Sequence, residues 1–137
     1  MRLGQLLISL CSLVASISVR AATVEITIQG VPSEDGVLYA QLCKKEEFLA
    51  KPCSFMARAT PKRGDVVLTI KDVPDGEWAV NAFLDENKNG RLDTNALGIP
   101  TEPWGFSRNA KGMFGPPTFD DSKVNVKGDT SVVFRLN

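Results

Sequence analysis

Apolar and polar residues alternate with a period of two along most of the chain. In residues 23–29, T-V-E-I-T-I-Q, the side chains of Val24, Ile26 and Ile28 share one face, the pattern of a half-buried strand. Residues 37–43 are rich in apolar and aromatic side chains and suit a buried strand. Residues 53–60 and 66–70 read as two more. Residues 77–84 put Trp78, Val80, Ala82 and Leu84 on one face, and residues 124–126 and 131–136 close the chain. Turn residues separate these runs: Gly30, Pro32, Asp35 and Gly36; then Pro61 and Gly64; then Val73-Pro74-Asp75-Gly76, where proline presets φ and glycine tolerates the left-handed region. Residues 44–52 allow one helical turn at K-K-E-E-F-L-A, but no amphipathic helix is evident. Seven short strands with frequent turns predict an all-β sandwich, with a closed barrel as the alternative. A long irregular stretch from residue 85 to about 122 interrupts the pattern. Loops of that length are functional or disordered, and Trp104, Phe106, Phe114 and Phe119 point to an ordered one.

The first twenty-one residues have a different character. Arg2 precedes an apolar run containing Leu6, Leu7, Ile8, Leu10, Leu13, Val14 and Ile17, and Val19-Arg20-Ala21 places small residues three and one before a cut. This is the pattern of a secretory signal peptide. At about fourteen residues the run is shorter than the roughly 20 a spanning helix needs. Cys11 follows Leu10 in mid-run, which argues against a lipoprotein signal. The expected organisation is a signal peptide over residues 1–21 and one β domain over 22–137, exported to the periplasm or the medium, with no transmembrane anchor after cleavage.

Charge and cysteine usage follow from that division. Sixteen basic residues balance sixteen acidic ones, and a chain cut after Ala21 loses Arg2 and Arg20 to carry a net charge of −2. No segment is strongly basic, so nucleic acid is not an expected partner. Cys43 and Cys53 remain, an even count in an exported chain, and predict a disulfide. By the chain-entropy model its short loop is worth about 3 kcal/mol.

The most specific chemistry lies in D-E-N-K-N-G-R-L-D-T-N, residues 85–95. Asp85, Asn87, Asn89, the Arg91 carbonyl and Asp93 fall at the first, third, fifth, seventh and ninth positions of an EF-hand-type loop, with Gly90 at the sharp turn. The twelfth position is Ala96 rather than Glu, and a strand rather than a helix leads in. The expectation is an EF-like loop in a β domain, completed by Asn95 or Glu102, that takes calcium weakly, in the range of about 10⁻⁴–10⁻³ M. The competing reading is a metal-free loop whose Asn and Asp side chains cap its own backbone.

The following segment, G-I-P-T-E-P-W-G-F-S-R-N, joins stiff proline and permissive glycine to aromatics. It reads as a binding surface for an envelope protein or a glycan, with Trp104 and Phe106 in contact and Glu102, Ser107, Arg108 and Asn109 orienting the ligand. It reads equally as a loop folded over a sheet as auxiliary core. Catalysis is constrained by the absence of histidine anywhere in the chain, which removes Ser-His-Asp and Cys-His arrangements and His-bearing zinc sites. What remains is a carboxylate-dependent, glycosidase-like hydrolase acting on an extracellular polymer. The main expectation is a non-enzymatic module.

From Gly76 onward, G-E-W-A-V-N-A-F-L-D-E-N-K-N-G-R-L-D-T-N-A-L-G-I-P-T-E-P-W-G-F-S, followed by G-P-P-T-F-D-D-S, resembles the bacterial secreted proteins of domain of unknown function 2141. These share a signal peptide, a D-x-N-x-N-G-x-x-D loop, a G-I/V-P-x-E-x-Y/W-G-F-S run and a P-x-F-x-D/E-A run. The resemblance implies export, a sandwich of the immunoglobulin-like or transthyretin-like kind, and no particular activity. Its loop falls on Asp85, Asn87, Asn89, Gly90 and Asp93. Its second run falls on Gly98, Pro100, Glu102, Gly105, Phe106 and Ser107. Ser122 stands where the family has a small alanine.

Overall fold

The computed structural model describes residues 11–16 and 21–137. The signal-type segment falls mostly on residues 1–10 and 17–20 and lies outside the described residues. The elements are β1 (Ala21–Val31), β2 (Val37–Cys43), β3 (Phe55–Ala59), β4 (Gly64–Pro74), β5 (Gly76–Asp85), β6 (Trp104–Phe106), a 3₁₀ turn (Ser107–Asn109), α1 (Phe119–Ser122), β7 (Lys123–Val126) and β8 (Thr130–Arg135). Among the described residues no helix is long and apolar enough to cross a membrane.

Two sheets face each other. The first has the order β4-β1-β8, with β1 antiparallel to β4 and parallel to β8. The second runs β3-β2-β5-β6, and β7 pairs with the first half of β5. The period of two places Val24, Ile26 and Ile28 of β1 against Leu38, Ala40 and Leu42 of β2 and Trp78, Val80, Ala82 and Leu84 of β5. All are buried, with Phe134 of β8 filling the middle. The Trp78 indole donates to the Pro74 carbonyl at 2.9 Å, so its one polar atom is satisfied inside the core.

Eight strands rather than seven are present among the described residues. The extra one, β6, lies inside the stretch expected to be irregular, which also holds the 3₁₀ turn and α1. Its alternation spans three residues, too few for a periodic signal: Trp104 and Phe106 face outward and Gly105 faces the core. A Cβ on Gly105 would lie 2.5 Å from the Arg135 carbonyl oxygen, so only glycine lets β6 sit this close to the end of β8. At the C-terminal end of β5, Gly36 has φ +92° and a Cβ there would lie 2.2 Å from the Asp85 carbonyl oxygen. Glycine at 36 therefore lets the β1–β2 turn rest on the backbone where the oxygen-rich loop begins.

The outer face of the five-stranded sheet carries a second, smaller core. Phe48, from the turns between β2 and β3, meets Phe106 and Phe119 edge to face, with Cys43, Ala79 and Ala110 packed beside them. The expected disulfide joins Cys43 and Cys53 and closes the loop that delivers Phe48. Phe106 and Phe119 are thus auxiliary core, whereas Phe114 is fully exposed.

Candidate functional site: a groove beside an oxygen-rich loop

The smaller core leaves part of that outer face open. The sheet register lines up the outward side chains in two rows, in which Phe83 and Phe106 are themselves buried. Arg58, Tyr39, Phe83 and Trp104 form one, across β3, β2, β5 and β6. Met56, Gln41, Asn81 and Phe106 form the next. Tyr39 and Phe83 stack with ring centroids 5.2 Å apart, and Trp104 meets Phe106 edge to face at 5.2 Å. A cavity of about 330 Å³ lies over Gln41, Asn81, Phe83 and Trp104, lined also by Leu49, Lys51 and Cys53 of the 44–54 loop and by Gly90, Arg91 and Leu92. A hollow of about 290 Å³ adjoins it over Tyr39, Met56 and Arg58 and shares Gln41, Phe83 and Gly90.

The 85–95 loop is built around two carboxylates. Asp85 ends β5 and is fully buried. One of its oxygens accepts from the Asn89 amide at 3.2 Å and the other from the Gly90 amide at 2.7 Å, a turn made possible by Lys88 (φ 58°) and Gly90 (φ 82°) in the left-handed region. The Asn87 and Asn89 side-chain oxygens accept from the Asn89 and Arg91 amides at 3.2 and 3.1 Å. Their side-chain nitrogens converge on Asp93, that of Asn89 at 2.6 Å on one oxygen and that of Asn87 on the other. Hydrogen bonds from Asn89 first and Asn87 second hold the Asp93 carboxyl below its ordinary pKa. The Arg91 guanidinium stands 4.0 Å from Asp93.

Glu102 folds back onto this loop. It is buried, and its two oxygens accept from the Glu86 amide at 2.6 Å and the Asp93 amide at 2.9 Å. One carboxylate thereby ties the start of the loop to its end, and the Thr101 amide adds a bond to the Asp93 carbonyl at 2.9 Å. Asn95 stands apart: its side-chain oxygen accepts from the Leu97 and Ile99 amides and caps its own small turn.

Residues 26–133 match a bacterial family described as an uncharacterized protein conserved in bacteria. The chain belongs to that family, DUF2141. No curated protein and no solved structure matches it. In this DUF2141 chain the residues singled out in the sequence divide into three groups. Asp85, Asn87, Asn89, Arg91, Asp93 and Glu102 are brought together in one loop. Trp104 and Phe106 line the groove, Phe106 also packing into the smaller core. Ser107, Arg108 and Asn109 tie elements to one another: the buried Ser107 hydroxyl accepts from the Val80 amide at 2.9 Å and donates to the Ser122 carbonyl. The Arg108 guanidinium donates to the Asp120 carbonyl at 3.3 Å, and the Asn109 side chain accepts from the Arg135 amide at 2.9 Å.

The donor chemistry of the DUF2141 loop suits a hard cation, since carboxylate, carboxamide and carbonyl oxygens are what calcium takes. Among the described residues no three His, Cys, Asp or Glu side chains gather into a metal-holding group. An ion here would rest on Asp85 and Asp93, the Asn87 and Asn89 carboxamides and the Arg91 carbonyl. Both carboxamides present nitrogen to Asp93, so each must turn over to offer its oxygen to an ion. The groove residues Tyr39, Gln41, Asn81 and Phe83 were not singled out in the sequence. Their signal is faint: aromatic and carboxamide side chains occupy outward strand positions where an idle surface would carry charges.

Proposed function

We propose that this chain is an exported, non-enzymatic binding module of the bacterial envelope. The groove over Phe83 and Trp104 is its binding surface, and the 85–95 loop is a calcium-responsive wall beside it. The observation that carries this reading is the half-exposed floor of Tyr39, Gln41, Asn81 and Trp104 held between two tied loops. The signal-type pattern of residues 1–21 and the Cys43–Cys53 disulfide support export. A hydrolase would need two carboxyls flanking one bond, about 5–5.5 Å apart for retention or about 6.5–9.5 Å for inversion. The residues lining the groove include no carboxylate. Glu34, Asp35 and Glu86 lie beside a wide, shallow hollow elsewhere and are all exposed to water.

A thermal melt of the exported, oxidised chain in EDTA, magnesium and calcium tests the wall. With a dissociation constant near 1 mM, about 10 mM calcium adds about 1.4 kcal/mol, or about 5 °C for a domain of this size. The rise is absent in Asp85→Ala and Asp93→Ala. A second reading, a loop that caps itself without metal, is favoured by the Asn87 and Asn89 bonds to Asp93. It gives no calcium-selective rise.

A further inference from the structure

We propose that the groove takes an anionic saccharide, a short run of pyranose rings bearing carboxylates. This rests on the reading of the groove as a binding surface and names the class of its ligand. Charge is the first ground. Lys51, Arg91 and Arg58 line the two adjoining hollows and no Asp or Glu does, in a chain with as many acidic as basic residues. The Arg91 side chain is 81% exposed and reaches Asp93 only at 4.0 Å, which leaves its guanidinium donors for a ligand.

The floor supplies the rest. Tyr39, Phe83 and Trp104 are cross-strand neighbours on three adjacent strands, so they make an apolar strip about 10 Å long at the usual strand spacing. Phe83, its middle member, is only 9% exposed and stacked against Tyr39, so the C–H face of a sugar ring meets mainly the half-buried Tyr39 and Trp104. Beside it, Gln41 and Asn81 are half-buried carboxamides whose side-chain nitrogens meet only sulfur, Met56 Sδ at 3.9 Å and Cys43 Sγ at 3.5 Å. Each has donor and acceptor capacity left for hydroxyl groups. The combined volume lies in the range of small-ligand sites, about 300–1,000 Å³.

The same geometry disfavours an acidic peptide. Peptide recognition by a sheet uses an unpaired edge for main-chain hydrogen bonds. Beneath this groove β2 is paired on both sides, by β3 and β5, and β5 by β2 and β6, so the edge strand β3 lies only at the rim of the smaller hollow.

The test is calorimetric titration of the exported, oxidised chain, in EDTA so that no metal bridges ligand and protein. The probes are trigalacturonate, its methyl ester (same rings, no charge) and triglutamate (same charge, no rings). We expect saturable binding of trigalacturonate, roughly five-fold or more tighter than the ester, and none of triglutamate. Lys51→Ala with Arg91→Ala weakens binding of the acid more than that of the ester and so removes the preference for the acid. Asn81→Ala weakens both. Circular dichroism confirms that each variant stays folded. Equal binding of acid and ester overturns the anionic class but keeps the groove as a binding surface. Binding of triglutamate as tight as the saccharide overturns the saccharide in favour of a peptide. No binding of any probe overturns this inference. Because the calcium melt uses no saccharide, a calcium response without saccharide binding, or the reverse, shows which of the two claims has failed.

Discussion

Glu102→Gln probes the side-chain clamp that ties the two ends of the 85–95 loop together. The substitution keeps the shape of the side chain, so it opens no cavity. It leaves one acceptor oxygen where two amides, Glu86 at 2.6 Å and Asp93 at 2.9 Å, now find two. The other position becomes an NH₂ group facing an amide N–H. A hydrogen bond to a charged acceptor is worth about 1.5–3 kcal/mol, and a buried amide left unpaired costs a comparable amount. The expected loss is about 2–3 kcal/mol. At about 4 °C per kcal/mol for a domain of this size, the midpoint falls by about 8–12 °C. Differential scanning calorimetry reads the loss, and amide hydrogen exchange locates it. Protection should drop at Glu86 and Asp93 while the β1 and β2 core amides follow only the global change. A midpoint within about 2 °C of the parent and unchanged exchange at both amides would refute the clamp.

Two further outcomes follow from side chains beside the site. Ser107→Ala leaves the buried Val80 amide and the Ser122 carbonyl without their partner. The expected loss is about 3 kcal/mol in denaturant unfolding, and a loss under about 1 kcal/mol would show that neither bond matters. The Asp93 carboxyl, held low by Asn89 and Asn87, adds stability above its ordinary value of 3.8 and loses it as pH falls through the lower folded value. Asp121 is depressed by the Thr118 hydroxyl and Glu47 by the Ser54 hydroxyl, and both act in the same sense. Midpoints should therefore fall between about pH 5 and pH 2, and Asp93→Asn should flatten part of that slope. An unchanged slope in that variant would contradict the assignment.

The inner faces of the sandwich were legible because burial imposes a period of two. Val24, Ile26 and Ile28, like Trp78, Val80, Ala82 and Leu84, lie where alternation put them. The disulfide was legible from cysteine number and export context. The strand β6 was not, because three residues among Pro103, Gly105 and the 3₁₀ turn carry no period. The groove was hidden for a related reason. Alternation says which side chains face the core, but not what an outward row does, and the row of Tyr39, Phe83 and Trp104 exists only once β2, β5 and β6 are in register. Asp85, Asn87, Asn89 and Asp93, picked out by their spacing, lie in one hydrogen-bonded loop. Spacing could not show that Glu102 ties its two ends, or that Asn95 spends its oxygen on a separate turn. Ser107 and Asn109, polar and next to aromatics, resembled ligand contacts in the sequence. Both are spent inside the fold on backbone groups that would otherwise lie unpaired.

The most direct measurement of the central claim is an assigned amide spectrum of the exported chain, titrated with calcium after removal of metal. If the 85–95 loop is a calcium-responsive wall of the groove, shifts begin at Asn87, Asn89, Gly90, Arg91 and Asp93. They extend to Leu92 and the Trp104 indole, and magnesium does not reproduce them. Unmoved loop amides at about 10 mM calcium, well above the expected weak range, or shifts scattered over exposed carboxylates such as Glu34, Asp35 and Asp120, would contradict it.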